Sequence, residues 1–558
     1  MAAHCIMVLG TTSGAGKSWL TTALCRHYAR QGLKVAPFKA QNMSNNARVV
    51  GAGGFAAGPP QGETRPPRGA GSPTKGATVG AEDFAAGPPL VETRPPRAAG
   101  SHTKWASVGA EIGSAQYFQA LAARAEPDVR MNPLLLKPES DTHSQVVLLG
   151  QVHTALTALP WRERSEHVWP TITAALDALR ADNDVVVIEG AGSPAEINLS
   201  DCDIVNMRVA RHCNAACLLV TDIDRGGAFA HLYGTWALLP EDERALIRGF
   251  VLNKFRGDAA LLAPGPQRLQ DLTGVPTVAT LPMWWQHGLP EEDGIFDARS
   301  VTAGPVNKTI AVIATPRISN LDEFQPLNNV PGVHLKWVRS PADLAGADWI
   351  ILPGSKHTSS DLAWLRAQGL DRAIAAHAGQ GGMVLGICGG LQMLGEALID
   401  PHGIDGNAPG LGLLPLVTLF EPAKTVQHTQ AAFGSLAGAW GPLAGVPVSG
   451  YEIHHGQTAQ HPAMAAAGDI ARVALTGPQG NPLGWQNAAG NVLGVYLHGL
   501  FEDPAALQAL FGASTPTLDS VFDGLADFVE RHFNPGVLDA LIEGEAFAAQ
   551  VSPIPRTI

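Results

Sequence analysis

Short runs of apolar residues alternate along the chain with longer stretches in which apolar side chains recur every three or four positions. In the first half the apolar runs are CIMVLG, KVAPFK, DVVVIEG, ACLLVTD and IRGFVLNKF, and helical patterns such as residues 17–31 and 171–180 lie between them. Continuous Val, Ile and Leu runs that alternate with helices are typical of a parallel sheet covered on both faces. The pattern predicts an α/β domain with a parallel sheet.

The second half repeats this alternation after a turn-rich join at residues 300–310, SVTAGPVNKTI. Its strand-like runs are TIAVIAT, DWIILPG, GGMVLGIC and NVLGVYLHG. A chain of 558 residues is also longer than one hydrophobic core usually supports. We therefore predict two α/β domains, at residues 1–300 and 308–558.

Residues 51–108 interrupt the pattern of the first domain. They contain FAAGPPQGETRPPRGAGSPTKGATVGAED, followed by a second version that begins FAAGPPLVETRPPRAAG. Phe55 corresponds to Phe84, which sets the period at 29 residues. Two copies are too few for a solenoid, and repeated Pro and Gly favour extended chain. We predict a disordered insertion that arose by tandem duplication, with a partner-binding segment as the alternative.

Composition narrows the possible functions. The formal net charge of −12 argues against nucleic acid as the main partner, because phosphate backbones need a basic face. No apolar run approaches the roughly 20 residues of a membrane helix, and the six sparse cysteines form no disulfide framework. The segment HCNAAC at residues 212–217 runs into a strand pattern and favours buried thiols over a metal site. We expect a cytoplasmic protein with reduced thiols.

The stretch GTTSGAGKSW joins the first apolar run to the first helical pattern. A strand, a glycine-rich turn and a helix in this order form a phosphate-binding loop, in which backbone N–H groups and the helix N-terminus face the phosphates. We expect Gly14 and Gly16 to bind the phosphates of ATP through the backbone of this turn. Lys17 would reach the outer phosphates of ATP, and Ser18 would be a ligand of Mg²⁺. Five residues separate Gly10 from the Gly16-Lys17 pair, whereas the usual phosphate-binding loop has four. The segment SGAGKS, which would surround the phosphates, is intact.

Carboxylates near this loop are candidate ligands of Mg²⁺, which prefers oxygen atoms. Glu189 closes the run DVVVIEGAG at the carboxyl end of a strand, where open α/β sheets bind ligands. Glu111 in AEIGSAQ is a second candidate with weaker support from the pattern alone. Asn253 follows another strand in VLNKFRGD, a position suited to reading the edge of a nucleotide base.

The run GGMVLGICGGLQMLG predicts a strand, a tight turn at Cys388 and a helix. Such a turn exposes a nucleophile near a helix N-terminus, and the backbone N–H of Gly389 can stabilise an oxyanion. His498, at the end of GVYLHG, is the candidate base, and the Gly354 backbone in LPGSKHTSSD is a second oxyanion donor. Other histidines are less favoured as the base: His357, His454 and His455.

A nucleotide loop and a cysteine–histidine pair in one chain suggest an ATP-dependent step coupled to a hydrolysis. Glutamine would form a thioester at Cys388 and release ammonia. ATP would phosphorylate a carboxylate of the substrate, and ammonia would displace the phosphate to form an amide. A partitioning-type ATPase switch and a degenerate regulatory protein are the alternatives, but a switch has no use for a glutaminase pair.

The ordered motifs resemble those of the cobyric acid synthase family. The members of this family are glutamine-dependent amidotransferases of cobalamin biosynthesis. Besides the segments above, the resemblance rests on PFKAQNMSNN, NPLLLKPESDTHSQVVLLG, EGAGSPAEINL, TDIDRGGAFA, PRISNLDEFQPL and GYEIHHGQT, and it covers nearly all of the chain outside residues 51–108. It implies a dethiobiotin-synthetase-like P-loop domain, whose loop has the same altered spacing, and then a class I glutamine amidotransferase (flavodoxin-like) domain. The implied reaction amidates the b, d, e and g carboxylates of adenosylcobyrinic acid a,c-diamide, with ATP, Mg²⁺ and glutamine.

The resemblance also implies roles for single residues. Cys388 would be the nucleophile and His498 its base. Glu111 and Glu189 would be metal ligands, and Asn253 would lie at the adenine. The nearest alternative within the class is the a,c-diamide synthase that acts one stage earlier, but QNMSNN and PRISNLDEFQPL resemble the later enzyme more closely.

Two positions leave questions open. Leu500 holds the place, two residues after His498, where class I glutaminases often carry Glu, so the sequence predicts a Cys–His dyad. Contacts to the corrinoid substrate are harder to place. Asp141, Asp224 and Arg225 are candidates because SDTHSQ and DIDRGG put polar groups near the expected nucleotide site, although structural roles fit these residues equally well.

Overall fold

The computed structural model describes most of the chain, namely residues 3–51, 109–140, 142–285, 287–290, 305–512 and 516–543. The insertion predicted at 51–108 lies outside this part apart from Gly51, and so does Asp141. Within the described residues, no helix combines the length and the apolar composition that crossing a membrane requires.

Strands and helices alternate in the first half, as the pattern predicts. The strands are β1 (His4–Gly10), β2 (Val35–Phe38), β3 (Gln41–Met43), β4 (Ala47–Val50), β5 (Ala110–Gly113), β6 (Leu134–Ser140), β7 (His143–Leu148), β8 (Gln151–Val152), β9 (Val185–Glu189), β10 (Ala216–Asp222), β11 (Ile247–Phe255) and β12 (Thr277–Pro282). The helices are α1 (Lys17–Arg30), α2 (Ser114–Ala122), α3 (Thr154–Ala158), α4 (Trp161–Asp182), α5 (Met207–Cys213), α6 (Ala228–Leu238), α7 (Glu241–Arg244) and α8 (Gly265–Thr273).

A parallel sheet in the order β12-β11-β10-β1-β9-β2 forms the centre of the first half. Its inner strands are buried because helices such as α1, α4 and α6 pack against it, which is why their sequences are continuously apolar. The parallel sheet predicted for this half is confirmed. The carboxyl ends of its strands meet at one edge, and this edge carries Gly10, Glu189, Asp222 and Asn253.

The second half is built on a larger mixed sheet. The strands of the second half are β13 (Lys308–Ile313), β14 (Ile318–Ser319), β15 (Val333–Val338), β16 (Trp349–Leu352), β17 (Gly354–Ser355), β18 (Met383–Ile387), β19 (Ala397–Ile399), β20 (Ala408–Pro409), β21 (Leu416–Phe433), β22 (Pro447–Gln460), β23 (Arg472–Thr476), β24 (Pro482–Gln486) and β25 (Val492–Val495). Its helices are α9 (Gln325–Asn328), α10 (Thr358–Ala367), α11 (Leu370–Gly379), α12 (Gly389–Leu394), α13 (Pro462–Ala466), α14 (Pro504–Phe511), α15 (Leu518–His532) and α16 (Val537–Glu543).

This sheet is parallel on one side and mostly antiparallel on the other, where β19 pairs with β21 in parallel and with β20 antiparallel. Strands β15, β13, β16, β18 and β25 pair in parallel, in that order. From β25 the pairing continues antiparallel through β24, β23 and β21, and β21 also pairs with β22. Away from this sheet, β14 and β17 form a short antiparallel pair. The parallel strands of the second half bring the predicted turn at Cys388 to the carboxyl edge of the sheet, directly after β18.

The last two helices return to the first half. On α1, the buried Arg26 pairs with Asp519 and Asp523 of α15, and the Tyr28 hydroxyl donates a hydrogen bond of 2.8 Å to the Leu538 carbonyl of α16. The apolar faces of both helices join the core beside β1. We therefore propose that the first structural unit includes α15 and α16, although the boundaries that we predict from the sequence group them with residues 308–558.

A hairpin of the first half docks on the second half. Strands β4 and β5 pair antiparallel, with Val50 opposite Ala110, and they contact β21 and β22. The Gly109 backbone N–H donates to the Val426 carbonyl at 3.0 Å. This hairpin therefore joins helix α2 of the first half to strands β21 and β22 of the second.

Candidate active sites

The predicted phosphate-binding loop lies between β1 and α1. Gly14 and Gly16 have φ angles of 67° and 98°, in the left-handed region that favours glycine. A Cβ on Gly16 would also lie 2.0 Å from Nδ2 of Asn253, so no larger residue fits there. Because α1 begins at Lys17, its free backbone N–H groups face the loop, as anion binding requires.

Glu189 gathers the polar groups beside this loop. The Ser18 hydroxyl and the Lys39 ammonium each donate to its Oε1 at 2.8 Å, and the Gln119 amide donates to its Oε2 at 2.6 Å. Burial acts to raise the pKa of Glu189, but Lys39 and the hydrogen bonds outweigh it and lower the pKa below its ordinary value. The structure thus brings Ser18 and Glu189 together, with a charged carboxylate.

Two of the partners of Glu189, Lys39 and Gln119, were not predicted from the sequence. Lys39 lies in PFKAQNMSNN, a motif used only for the family resemblance, and Gln119 lies on α2. Nothing in the local pattern links either side chain to Glu189, which is 150 residues from Lys39 along the chain. The parallel sheet and the packing of α2 on α1 bring them together.

Asn253 lies against the phosphate-binding loop itself. Its Nδ2 donates to the Ala15 carbonyl at 2.9 Å, and its Oδ1 accepts from the Lys254 backbone N–H at 2.8 Å. The Lys254 ammonium donates to the Gly14 carbonyl at 2.8 Å. Both residues brace the loop from β11, and the contact of Asn253 with adenine stays a prediction.

Glu111 lies in a different environment from Glu189. It is buried on β5, and its carboxylate accepts hydrogen bonds from Lys137 of the first half and Lys424 of the second half. Burial acts to raise the pKa of Glu111, but the two ammonium groups lower it far below its ordinary value. Burial also lowers the pKa of Lys137 to about 7. In the described residues, no hydrogen bond joins Glu111 to Ser18 or Glu189.

The predicted metal role of Glu111 therefore lacks geometric support. Its strand pairs with β4 at the boundary between the halves, where the carboxylate balances two lysines. Among the residues that the structure describes, no group of three or more His, Cys, Asp or Glu side chains is placed to hold a metal ion. Ser18 and Glu189 supply oxygen atoms beside the loop, and the metal role of Glu111 stays a prediction.

Two of the candidate substrate residues, Asp224 and Arg225, lie at the same carboxyl edge, and Asp141 lies outside the described residues. Asp224 forms an ion pair with Arg256, whose Nε lies 2.8 Å from the carboxylate. Arg225 is largely exposed and lies 3.4 Å from Asp222. A Cβ on Gly14 would be 3.9 Å from Nη2 of Arg225, so this guanidinium borders the phosphate-binding loop.

The turn at Cys388 has the geometry of a nucleophile elbow. Cys388 has a φ of 51°, a strained value for a residue other than glycine, and its N–H donates to the Val495 carbonyl at 2.8 Å. Helix α12 begins at Gly389. A Cβ on Gly390 would lie 1.9 Å from the Leu352 carbonyl oxygen, so close packing requires glycine there. The strand, turn and helix predicted around Cys388 are confirmed.

His498 has a carboxylate partner that the sequence analysis missed. Its Nδ1 lies 3.1 Å from Oε1 of Glu323, and the Gly499 backbone N–H donates to Oε2 at 3.0 Å. Burial acts to lower the pKa of His498, but Glu323 and Cys388 outweigh it and raise the pKa to about 10. The structure thus places a carboxylate on the histidine of the predicted Cys–His dyad, although Leu500 occupies the usual position; the catalytic roles of Cys388 and His498 stay predictions.

The two candidate oxyanion donors lie beside this pair. A Cβ on Gly354 would be 2.9 Å from Cε1 of His498, and a Cβ on Gly389 would be 2.7 Å from the Ser355 nitrogen. Strand β17, which contains Gly354, is held by its pairing with β14. The backbones of Gly354 on β17 and Gly389 at the start of α12 thus lie next to Cys388 and His498, and their role as oxyanion donors stays a prediction.

Both halves of the chain line the cavity that opens at Cys388. The second half contributes Ser355 and Gln392, among others, and the first half contributes Asn45, Lys137 and Gln145. Two of the other candidate bases, His454 and His455, also line this cavity. Their Nδ1 atoms are taken up by backbone carbonyls, at 2.8 Å from Gly456 and 3.1 Å from Glu421, and His357 lies 3.5 Å from Asp405. The cavity therefore brings the cysteine site against a wall formed by the first half, which carries the predicted ATP-binding synthetase domain.

Comparisons with known proteins agree with this arrangement. Residues 6–287 match the model of the CobQ/CobB/MinD/ParA nucleotide binding domain, and residues 309–506 match the CobB/CobQ-like glutamine amidotransferase domain. The P-loop domain and the amidotransferase domain predicted from the sequence are both confirmed. The nucleotide-binding domain supports the use of ATP and the second domain the use of glutamine.

Curated relatives match nearly the whole chain. The cobyric acid synthase of Polaromonas naphthalenivorans (strain CJ2) is 70% identical over 545 residues, which are 97% of this chain and all of that protein. The cobyric acid synthase of Acidovorax ebreus (strain TPSY) is 71% identical over 97% of this chain and 99% of that protein. The cobyric acid synthase of Variovorax paradoxus (strain S110) is 69% identical over 97% of this chain and all of that protein. The chain belongs to the cobyric acid synthase family.

Proposed function

We propose that the chain is a ligase that uses ATP and glutamine to amidate the b, d, e and g carboxylates of adenosylcobyrinic acid a,c-diamide, giving adenosylcobyric acid. The observation that carries this proposal is the cavity at Cys388, which is walled partly by the nucleotide-binding half. Ammonia formed in this cavity is released next to residues of the domain that would consume it. We also propose that the reaction takes place in the cytoplasm, where ATP and glutamine are available.

In the amidotransferase half, Cys388 attacks the side-chain amide carbon of glutamine as a thiolate. The backbone N–H groups of Gly354 and Gly389 stabilise the oxyanion of the tetrahedral intermediate. His498 transfers its proton to the leaving nitrogen, so that ammonia departs and a thioester remains at Cys388. Water then attacks the thioester while His498 accepts its proton, which releases glutamate and restores the thiol.

In the synthetase half, the loop N–H groups and Lys17 hold the phosphates of ATP. The Ser18 hydroxyl and the Glu189 carboxylate lie 2.8 Å apart and fit Mg²⁺, which prefers oxygen ligands. When bound, Mg²⁺ would neutralise charge on the phosphates. A substrate carboxylate attacks the γ-phosphorus and ADP leaves. Ammonia then attacks the acyl phosphate, inorganic phosphate leaves, and an amide forms.

Contacts to the corrinoid are proposed at the edge of this loop. Arg225 borders Gly14 and remains largely exposed, so its guanidinium can pair with a peripheral carboxylate. Asp224 holds Arg256 beside it. Asp141 remains a candidate from the sequence alone.

Mass spectrometry of the corrinoid tests this function. Adenosylcobyrinic acid a,c-diamide is incubated with the protein, ATP, Mg²⁺ and glutamine, and successive carboxyl-to-amide conversions are expected. In a parallel reaction, cobyrinic acid replaces the diamide. Amidation only of cobyrinic acid, at the a and c positions, would assign the chain to the earlier step instead. Glutamine hydrolysis with both corrinoids unchanged would show that the substrate is a different carboxylic acid.

A further inference from the structure

One short segment holds the imidazole of His498. Both carboxylate oxygens of Glu323 are used there, one on the ring Nδ1 and the other on the N–H of Gly499, the next residue. The Asn320 amide nitrogen lies 3.3 Å from both ring nitrogens. The ring is therefore fixed from the residues around β14, which lie far from His498 in the chain.

The burial of Glu323 favours a role at the histidine over ordinary packing. Its side chain is fully buried, where an ionised carboxylate is costly unless it is paired and hydrogen-bonded. Both of its oxygens are satisfied by His498 and the residue after it. A carboxylate on Nδ1 holds that nitrogen in its protonated form and leaves Nε2 to exchange protons with the cysteine.

Residues of the synthetase half bind the segment that contains Asn320 and Glu323. The Asn46 side chain accepts a hydrogen bond from the Leu321 N–H at 3.0 Å, and the Ala47 N–H donates to the Asn320 side chain at 2.9 Å. Next to Glu323, Asp322 binds Arg48 of β4. The segment that orients the histidine is thus held between the two halves of the chain.

We propose that Glu323 is the positioning residue of the glutaminase: it orients His498 and stabilises the imidazolium that forms when Cys388 ionises. It takes the role that a carboxylate two residues after the histidine has in many class I glutaminases, from a different place in the fold. This inference rests on the proposed glutamine hydrolysis. Glu323 acts through His498 and is not expected to touch glutamine.

Steady-state glutamine hydrolysis by the full-length protein tests the inference. Glu323→Gln replaces the orienting carboxylate by its amide. Its kcat is expected to be about 100-fold or more below that of wild type, in the range of a general acid–base contribution. The KM for glutamine should change little. Amidation with added ammonia should keep its wild-type rate, which also reports that the variant is folded. Glu421→Gln is the matched control, because Glu421 is half-exposed and lies 3.9 Å from His402.

Glu323→Asp provides a second measurement. It retains the charge on a shorter side chain, so its kcat should lie between those of wild type and Glu323→Gln. A Glu323→Gln variant with wild-type kcat, an Asp variant no better than the Gln variant, or an equal loss of the ammonia-dependent rate in both variants would each overturn the positioning role. Absence of glutamine hydrolysis in the wild type itself would instead refute the proposed function.

Discussion

Arg48 and Asp322, from opposite halves of the chain, form a buried ion pair, and Arg48 also binds Glu502 at 2.6 Å. The side chains of Arg48 and Asp322 are 3% and 1% exposed. Burial acts to lower the pKa of Arg48, but the two carboxylates raise it well above its ordinary value. The guanidinium also lies 5.0 Å from the ring centre of Tyr451. One side chain of the synthetase half therefore fixes the residue next to Glu323.

Replacement of Arg48 is expected to destabilise the docked halves. Arg48→Met keeps much of the volume but leaves Asp322 and Glu502 without their buried cation. Removal of one partner of a buried pair typically costs about 3–5 kcal/mol. Urea unfolding followed by tryptophan fluorescence should show a loss of this size in the first transition.

The matched control is Arg211→Met. Arg211 and its partner Asp242 are 58% and 60% exposed, and exposed ion pairs contribute about 0–1 kcal/mol. If both variants lose the same small amount, the Arg48 pair does not hold the halves together.

Lys17→Met should separate the two activities. Loss of the ammonium that reaches the outer phosphates is expected to lower the amidation rate by about 100-fold or more, with glutamine or with ammonia as the nitrogen source. Glutamine hydrolysis should remain, because Cys388 and His498 lie in the other half. Both rates are measured on the same preparation, and the exposed Lys34→Met serves as the control. An unchanged amidation rate in Lys17→Met would show that Lys17 of the phosphate-binding loop is not needed for the ATP-dependent step.

The His498–Glu323 pair should make stability depend on pH. The pKa of His498 is raised from its ordinary 6.5 to about 10, so the protonated pair stabilises the fold fully below pH 6.5. This contribution is lost as the pH rises through about 10. Wild type should therefore lose unfolding free energy relative to His498→Gln between pH 6.5 and 10, as measured by urea midpoints at several pH values. A constant difference across this range would contradict the pairing.

Residues 52–108 should be dispensable for catalysis. Val50 and Ala110 pair directly in the β4–β5 hairpin, so the chain leaves and re-enters the fold at neighbouring points. Closing such a gap with a shorter loop costs little conformational entropy. Replacement of 52–108 by a short Gly/Ser turn should leave kcat and KM nearly unchanged in the coupled assay. A large gain in activity would show that the segment is inhibitory, and a large loss would show that it takes part in function.

Local sequence was sufficient to predict the residues whose chemistry depends on a single turn. Lys17 and Ser18 follow a glycine-rich loop after a strand, and Cys388 lies in a tight turn between a strand and a helix, so neighbouring residues determine their backbone positions. His498 and Glu189 close apolar strands, and the parallel order of those strands brings them to the correct edge.

Contacts between distant segments could not be predicted in this way. Glu323 is 175 residues from His498, and the usual position two residues after the histidine carries Leu, so no spacing indicated a carboxylate. Glu111 has the residue type of a metal ligand, but the pairing of β5 with β4 places it against Lys137 and Lys424. In both cases the docking of the two halves decides which groups meet.

The most direct test of the account compares nitrogen sources for the Cys388→Ala variant. Corrinoid amidation is followed by mass spectrometry with ATP, Mg²⁺ and either glutamine or ammonium chloride. We predict that the variant loses amidation with glutamine and keeps the wild-type rate with ammonia, because added ammonia replaces the product that Cys388 would release from glutamine. Amidation with glutamine at the wild-type rate in Cys388→Ala would contradict this account, as would loss of the ammonia-dependent reaction in a correctly folded variant.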